Sequence, residues 1–224
     1  MGMLYLVRHG QASFGAANYD QLSELGHKQC VRLGEYFKAR GLHFDAMLRG
    51  SLKRQEQSLA GVMAGLNQPD APPPSVWPAL NEYDSTAVLR TVQAHELRAP
   101  SSKDEYRNHF RLLRQGLTRW TAGEITPEGM PTFNDFKSGI VAALDHVRNS
   151  HSANVLMVSS GGPIATAVTH VLGAPSEVLI DLNMRIRNSA VTEFSFTPKR
   201  HQLHSFNNLP HLDGEAWADW VTYT

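Results

Sequence analysis

Near its start the chain carries the run Met3-Leu4-Tyr5-Leu6-Val7-Arg8-His9-Gly10. The first five of these residues are apolar and rich in strand-forming types, so they predict a buried β-strand that opens into a loop at Arg8. In open α/β sheets, ligands collect beyond the carboxyl ends of the strands, which is where this loop would lie. A histidine there can act as a nucleophile, and an adjacent arginine can bind phosphate through paired hydrogen bonds.

Further strands and helices alternate along the chain and predict an α/β fold. Ser23 can cap a helix that ends near Gly41, and a strand over 44–48 and a helix over 51–66 follow it. The proline-rich stretch 69–78 predicts an extended connection, because proline donates no backbone hydrogen bond. Later elements are a strand over 154–159, a helix over 161–172, and strands over 191–196 and 201–206. We expect a three-layer α/β/α sandwich with a mostly parallel central sheet.

The segment 85–131 interrupts this alternation and is helical in character. We therefore predict one domain over residues 1–224, with a helical cap insertion at about 85–131 that packs over the sheet. Arg107, Arg111 and Arg114 line up at helical spacing within it. They either select a second anionic group on a ligand or form a solvated helix face, which is the commoner situation.

Composition limits the classes of function. Of the 224 residues, 42% are hydrophobic and 19% charged, which excludes a largely disordered chain. The formal net charge is +0, so the basic excess of a nucleic-acid-binding protein is missing. The single cysteine, Cys30, cannot form an intrachain disulfide, and no signal peptide or membrane span is recognisable. These features predict a soluble cytoplasmic protein with no nucleic-acid or membrane partner.

Several motifs follow the first one in the same order as in a known family. They are Leu22-Ser23-Glu24-Leu25-Gly26, Ser51-Leu52-Lys53-Arg54-Gln55-Glu56-Gln57-Ser58, Leu80-Asn81-Glu82-Tyr83, Val158-Ser159-Ser160-Gly161-Gly162-Pro163-Ile164 and Asn188-Ser189-Ala190-Val191. Together with the first run they span nearly the whole chain, which resembles the histidine phosphatase, or phosphoglycerate-mutase-like, superfamily. No single motif is specific, but their combination and order are.

The resemblance implies a role for each matched residue. His9 would attack a phosphomonoester and become phosphorylated, while Arg8 and Arg54 would hold the phosphoryl oxygens. Glu82 would protonate the leaving alcohol and later take a proton from water. Phosphoryl transfer depends mainly on positioning and charge stabilisation, which is consistent with paired arginines. We expect the arginines to disfavour protonation of His9, and a bound phosphate to favour protonation of Glu82.

Ser160 departs from the family pattern, which usually has a second histidine next to the glycines. A serine hydroxyl is shorter and uncharged but can still donate one hydrogen bond. Gly161, Gly162 and Pro163 open a helix whose free N–H groups would favour an anion, so we predict that Ser160 and Gly161 bind phosphate. Loss of a transition-state donor elsewhere costs about 10²–10³ in rate, so turnover is more affected than binding.

The sequence thus leads to three hypotheses. The first is a phosphatase that acts on a small phosphorylated substrate through phosphohistidine, without metal or cofactor. The second is a phosphate-ligand binding protein with weak or no turnover, and the third a phosphoglycerate mutase. Gln11, directly after the first loop, joins the three arginines of the insertion as a predicted specificity residue. His201 and His204 lack a metal-binding pattern, and the substrate and oligomeric state are left open.

Overall fold

The computed structural model describes residues 1–13, 20–93 and 102–223. Their central sheet has six strands in the order β3-β2-β4-β1-β5-β6. The strands are β1 Gly2–Arg8, β2 Ala46–Arg49, β3 Ser75–Val76, β4 Asn154–Ser159, β5 Val191–Thr197 and β6 Arg200–Asn208. The β3-β2-β4-β1 part is parallel, and β5 and β6 add to β1 as antiparallel strands.

Helices cover both faces of this sheet. The longer ones are α1 Glu24–Ala39, α2 Lys53–Leu66, α4 Lys103–Thr121, α5 Phe133–Ser150 and α6 Gly161–Leu172, and the shorter ones are α3 Ser85–Arg90 and α7 Ser176–Asn183. Short 3-10 helices follow β3 at Pro78–Leu80 and close the chain at Pro210–Leu212 and Glu215–Trp220.

Side chains of the central strands alternate between two hydrophobic cores. Leu4 and Leu6 of β1 pack with α3 to α7, whereas Tyr5 and Val7 face α1 and α2. This alternation is the two-residue period of a strand that is buried on both faces. It gives the predicted three-layer α/β/α arrangement with a mostly parallel sheet.

The helices nearest to the site start where the sequence predicts them, with small differences. Ser23 caps α1 by accepting a hydrogen bond from the Gly26 N–H. The second helix starts at Lys53 and not at Ser51, because Ser51 is bonded to Asn81 through both its backbone N–H and its hydroxyl. The expected connection over 69–78 contains the edge strand β3, whose residues pair with Leu48 and Arg49 of β2.

The predicted insertion contains α3, α4 and the residues up to Pro131. Leu113, Leu117 and Trp120 of α4 are buried in the core on the α6 face of the sheet. Residues 94–101 of this predicted insertion lie outside the described residues. The division into one domain with a cap over 85–131 stays a prediction.

Candidate active site

His9 follows the last residue of β1 at the carboxyl edge of the sheet. Its backbone N–H donates to the carbonyl of Ser159 at 2.9 Å, which places it beside the end of β4. The side chain is only 3% exposed, and its Nδ1 lies 2.7 Å from the carbonyl of Gly10. A carbonyl can only accept, so Nδ1 carries the proton and Nε2 keeps its lone pair.

The pKa of His9 lies well below the usual histidine value. Burial is the main cause, and the positive charges of Arg8 and Arg54 add to it. All three disfavour the imidazolium, so the ring is neutral at physiological pH. The sequence predicted the contribution of the arginines but not the larger one of burial.

The loop around His9 is held by contacts on both sides. The His9 carbonyl accepts from the Ser189 N–H at 3.2 Å and from Asn188 Nδ2 at 3.4 Å. On the other side, the Gly10 N–H donates to Ser58 Oγ at 3.0 Å. A Cβ on Gly10 would lie 2.4 Å from the carbonyl of Gly26, so the approach of α1 requires glycine here.

Arg54 is brought to the site by the first turn of α2. Its side chain is buried, and its Nη1 donates to Asp20 Oδ1 at 2.9 Å. The same carboxylate accepts from the backbone N–H of Lys53 at 3.0 Å and of Arg54 at 3.4 Å. Because Leu52 at the N-cap position has no polar side chain, Asp20 serves as the cap of α2 from a distant segment.

Arg8 is held by main-chain carbonyls. Its Nη1 donates to the carbonyl of Ile186 and, at 2.9 Å, to that of Tyr223 near the end of the chain. A guanidinium carries its donor hydrogens in a planar fork, so these bonds fix the plane of the Arg8 side chain. Arg8 and Arg54 act electrostatically on both His9 and Glu82, which places the four groups in one site.

Glu82 comes from the loop after the 3-10 helix Pro78–Leu80. Its two carboxylate oxygens accept from the Gly162 N–H at 3.0 and 3.2 Å, and the Tyr83 N–H adds a bond at 3.3 Å. Burial raises the pKa of this carboxyl, and it does so against the Gly162 N–H and the two arginine charges, which lower it. The sequence-based expectation for the pKa of Glu82 considered only the arginines and a bound phosphate, and it did not include burial.

Ser160 and Gly161 lie at the start of α6. Ser160 is buried, and its Oγ accepts from Gln55 Nε2 at 2.9 Å. The expectation that the first N–H groups of α6 are free for a ligand is wrong for Gly162, because its N–H donates to Glu82. Phosphate binding by Ser160 and Gly161 stays a prediction.

The predicted specificity residues have partners within the chain. Gln11 accepts from Ser23 Oγ through its Oε1 at 2.8 Å. In the insertion, Arg107 is 3.4 Å from Asp104, and Arg111 donates to Asn108 at 2.8 Å; both partners lie on α4 itself.

Arg114 reaches further and forms an ion pair of 2.7 Å with Asp181 of α7. The bonds that Arg107 and Arg111 make along their own helix are typical of a solvated helix face. A role in substrate selection for Gln11 and these arginines stays a prediction.

Two polar residues of the site, Asp20 and Gln55, were missed in the sequence. They act through contacts with Arg54 and Ser160, which are 34 and 105 positions away from them in the chain. The only sequence signal that they give is their position: Gln55 lies inside the matched motif 51–58, and Asp20 lies shortly before the motif that starts at Leu22. Within the described ranges no three histidine, cysteine, aspartate or glutamate side chains are grouped as metal ligands. In the same ranges, the helices are too short or too polar to cross a bilayer.

A family model confirms the resemblance. Residues 4–209 match the histidine phosphatase superfamily (branch 1), so this chain belongs to that superfamily. Arg8, His9, Arg54 and Glu82, which the family motifs single out, are the residues that the fold gathers at the carboxyl edge of β1 and β4.

Similar proteins include phosphatases and mutases. A broad-specificity phosphatase of Saccharomyces cerevisiae is 32% identical over 75 residues, which are 31% of this chain and 33% of that protein. A 2,3-bisphosphoglycerate-dependent phosphoglycerate mutase of Methylobacterium sp. is 31% identical over 109 residues, 46% of this chain and 51% of the mutase. The matches thus span about a third to a half of the length of these curated relatives.

Solved structures share the fold over more of the chain. A phosphoserine phosphatase mutant from Entamoeba histolytica, in complex with phosphoserine, superposes with a TM-score of 0.63. The superposition covers 95% of this chain and 100% of that one, at 18% identity. At this identity the likeness shows the fold alone.

Proposed function

We propose that the protein is a phosphatase that hydrolyses a small phosphomonoester through a phosphohistidine on His9, without metal. The single observation that carries this proposal is the pairing of a neutral buried His9 with a Glu82 whose pKa is raised. A nucleophile must be free of its proton and a general acid must hold one, and the directions of the two shifts favour these states.

The reaction then has two balanced steps. His9 Nε2 attacks phosphorus, the P–O bond to the alcohol breaks, and Glu82 gives its proton to the leaving oxygen. In the second step Glu82 takes a proton from water, the resulting hydroxide oxygen bonds to phosphorus, and the P–N bond breaks. Arg8 and Arg54 supply the positive charge for the equatorial oxygens, so the transfer requires no metal.

The substrate class is a small phosphorylated metabolite. Phosphoserine bound to the Entamoeba histolytica relative supports this class, as does the broad specificity of the yeast relative. The likeness to the Methylobacterium mutase makes phosphoglycerate a further candidate ligand.

A binding protein with little turnover is the second candidate, and Ser160 is the observation that favours it. Its buried neutral hydroxyl stands where the family usually has an ionisable ring. Phosphate affinity without hydrolysis above background would select this function, while net isomerisation of phosphoglycerate would select a mutase.

Trapping of the phosphoenzyme tests the first candidate. We expect ³²P from a labelled aryl phosphate to appear on the protein in an acid-labile, base-stable form, and His9→Ala to abolish it. His204→Ala is the matched control, because His204 bonds Ser195 between β6 and β5, outside the described site. Label that persists in His9→Ala contradicts the proposal.

A further inference from the structure

Gln55 connects three parts of the site. It follows Arg54 in α2 and is 0% exposed. Its Nε2 donates both to the carbonyl of Leu80 at 2.8 Å and to Ser160 Oγ at 2.9 Å. One amide therefore links α2, the 3-10 helix that precedes the loop of Glu82, and the start of α6.

The two contacts fix which way round the amide lies. Both Leu80 and Ser160 present an oxygen to the same nitrogen, and a carbonyl can only accept. A flipped Gln55 would set its own carbonyl oxygen against that of Leu80, two acceptors facing each other. Ser160 Oγ is consequently the acceptor in its bond with Gln55.

This bond decides what the Ser160 hydroxyl can do. A hydroxyl carries one hydrogen and two lone pairs, and Gln55 occupies a lone pair, so the hydrogen is directed elsewhere. Among the described residues Ser160 makes no side-chain bond to the first turn of α6. The carbonyl of the preceding residue, Ser159, accepts a hydrogen bond from the His9 N–H. The Ser160 hydroxyl therefore lies one residue from the contact that fixes the position of His9.

The other end of the amide makes no bond that would explain a purely structural role. Gln55 Oε1 is buried and has no hydrogen-bond partner within the described residues. Buried acceptors without a partner are rare in native proteins. A Cβ on Gly50 would lie 1.9 Å from Oε1, so the glycine leaves the space that this orientation needs.

We propose that Gln55 is a positioning residue that turns the Ser160 hydroxyl into a donor to the transferring phosphoryl group. This inference rests on the proposed function and deepens it. The Gln55–Ser160 pair takes over, with one oriented neutral donor, a task that the family usually gives to a histidine. A donor that acts on the transition state contributes to kcat more than to KM.

A double-mutant cycle tests the assignment. Gln55→Met keeps the length of the side chain and removes its donor, and Ser160→Ala removes the hydroxyl. We expect Ser160→Ala to lower kcat about 10²–10³-fold, the range for loss of one transition-state donor, and Gln55→Met to lower it about 10-fold or more, with little change in KM in either variant. In the Ser160→Ala background, Gln55→Met should have no further effect, because the hydroxyl that it orients is gone.

Gln68→Met is the matched control. Gln68 bonds the backbone N–H and carbonyl of Phe44, both at 3.0 Å, at the other end of α2. Its replacement should lower the melting temperature and leave kcat unchanged. An unchanged kcat in Gln55→Met, or an equal loss with and without Ser160, would overturn the inference.

Vanadate affinity keeps the inference separate from the proposed function. Five-coordinate vanadate resembles the transferring phosphoryl group, so its dissociation constant should rise in both single variants and not rise further in the double variant. If the natural chain hydrolyses no phosphomonoester, the phosphatase proposal fails. The double-mutant cycle measured by vanadate affinity still tests whether Gln55 positions the Ser160 hydroxyl. Vanadate affinity that Gln55→Met leaves unchanged, or weakens equally without Ser160, excludes the positioning role.

Discussion

Two side chains of the site, the buried His9 and the half-buried Glu82, have pKa values displaced in opposite directions. Burial lowers the pKa of His9 and raises that of Glu82, because it disfavours the charged form of each. The arginines reinforce the first shift and oppose the second. A bound phosphate dianion would offset the arginine charges, so we expect the proton on Glu82 to be held more tightly in the substrate complex.

Glu82→Gln tests the acid role through the leaving group. An amide can still accept from the Gly162 N–H, so the loop should keep its position, but it donates no proton to an alkoxide. We expect kcat for an alkyl phosphate to fall about 10²–10⁴-fold, as for loss of a general acid. For an aryl phosphate, whose leaving group needs no proton, kcat/KM, which reports the phosphorylation step, should fall much less, although the later attack of water still uses Glu82.

The pH dependence of kcat tests the same acid role of Glu82. A raised pKa means that the carboxyl holds its proton to higher pH, so the donor is lost as pH rises through that pKa. The alkyl phosphate should show a falling alkaline limb in kcat that is absent in Glu82→Gln. Glu56→Gln, which changes a carboxylate paired with Arg49 at the surface, should keep the limb. A limb retained in Glu82→Gln would assign the acid to another group.

The start of α2 positions Arg54, and Asp20 stabilises both this helix start and the Arg54 side chain. Its carboxylate accepts from two backbone N–H groups of the helix and from Arg54 Nη1. We expect Asp20→Asn to remove the charge that holds the guanidinium and to weaken the cap. Phosphate affinity should fall about 10-fold, and stability should fall by less than the about 0.5–2 kcal/mol of a lost cap, because an asparagine oxygen still accepts from the backbone N–H groups.

Inhibition by inorganic phosphate and thermal unfolding measure the two effects of Asp20→Asn. Glu24→Gln is the matched control, because Glu24 stands in the first turn of α1 and pairs with Lys28 on an exposed surface. Equal inhibition constants in Asp20→Asn and the natural chain would show that Arg54 needs no such support.

Elements with a strong local pattern were predictable from the sequence. The apolar run before Arg8 gave β1, and the glycines after Ser160 gave the start of α6. The strand β3 was not predictable, because a two-residue edge strand after three prolines is defined by its pairing with β2. Helix α2 began later than expected because Ser51 is engaged by Asn81, a contact 30 positions away.

The residues of the candidate site were likewise only partly predictable from the sequence. The histidine, the arginines and the glutamate were predicted because their motifs are local, and their roles stay predictions. Asp20 and Gln55 were not, because their roles are contacts with residues far along the chain. The burial that shifts His9 and Glu82 likewise comes from the assembled fold and has no local signature.

The last described residues of the chain return to its first loop. The carbonyl of Tyr223 accepts from Arg8 across 215 positions, and Thr222 accepts from Gln29 and bonds Asn188. Asn188 in turn bonds the carbonyl of His9. Contacts from residues far apart in the sequence thus hold Arg8 and the loop of His9 in place.

Shortening the chain to end at Val221 should therefore weaken the site. It removes the Tyr223 carbonyl that orients Arg8 and the bonds of Thr222 to Gln29 and Asn188, while the Ile186 carbonyl remains. A lost hydrogen bond to a charged group costs about 1.5–3 kcal/mol, so KM for a phosphomonoester should rise about 10–100-fold. Tyr223→Ala is the control, because it keeps the main-chain carbonyl and changes only a side chain that is 57% exposed. If Tyr223→Ala raised KM as much as the truncation does, the effect would belong to the side chain, and a truncation without effect would show that Arg8 is held by other contacts.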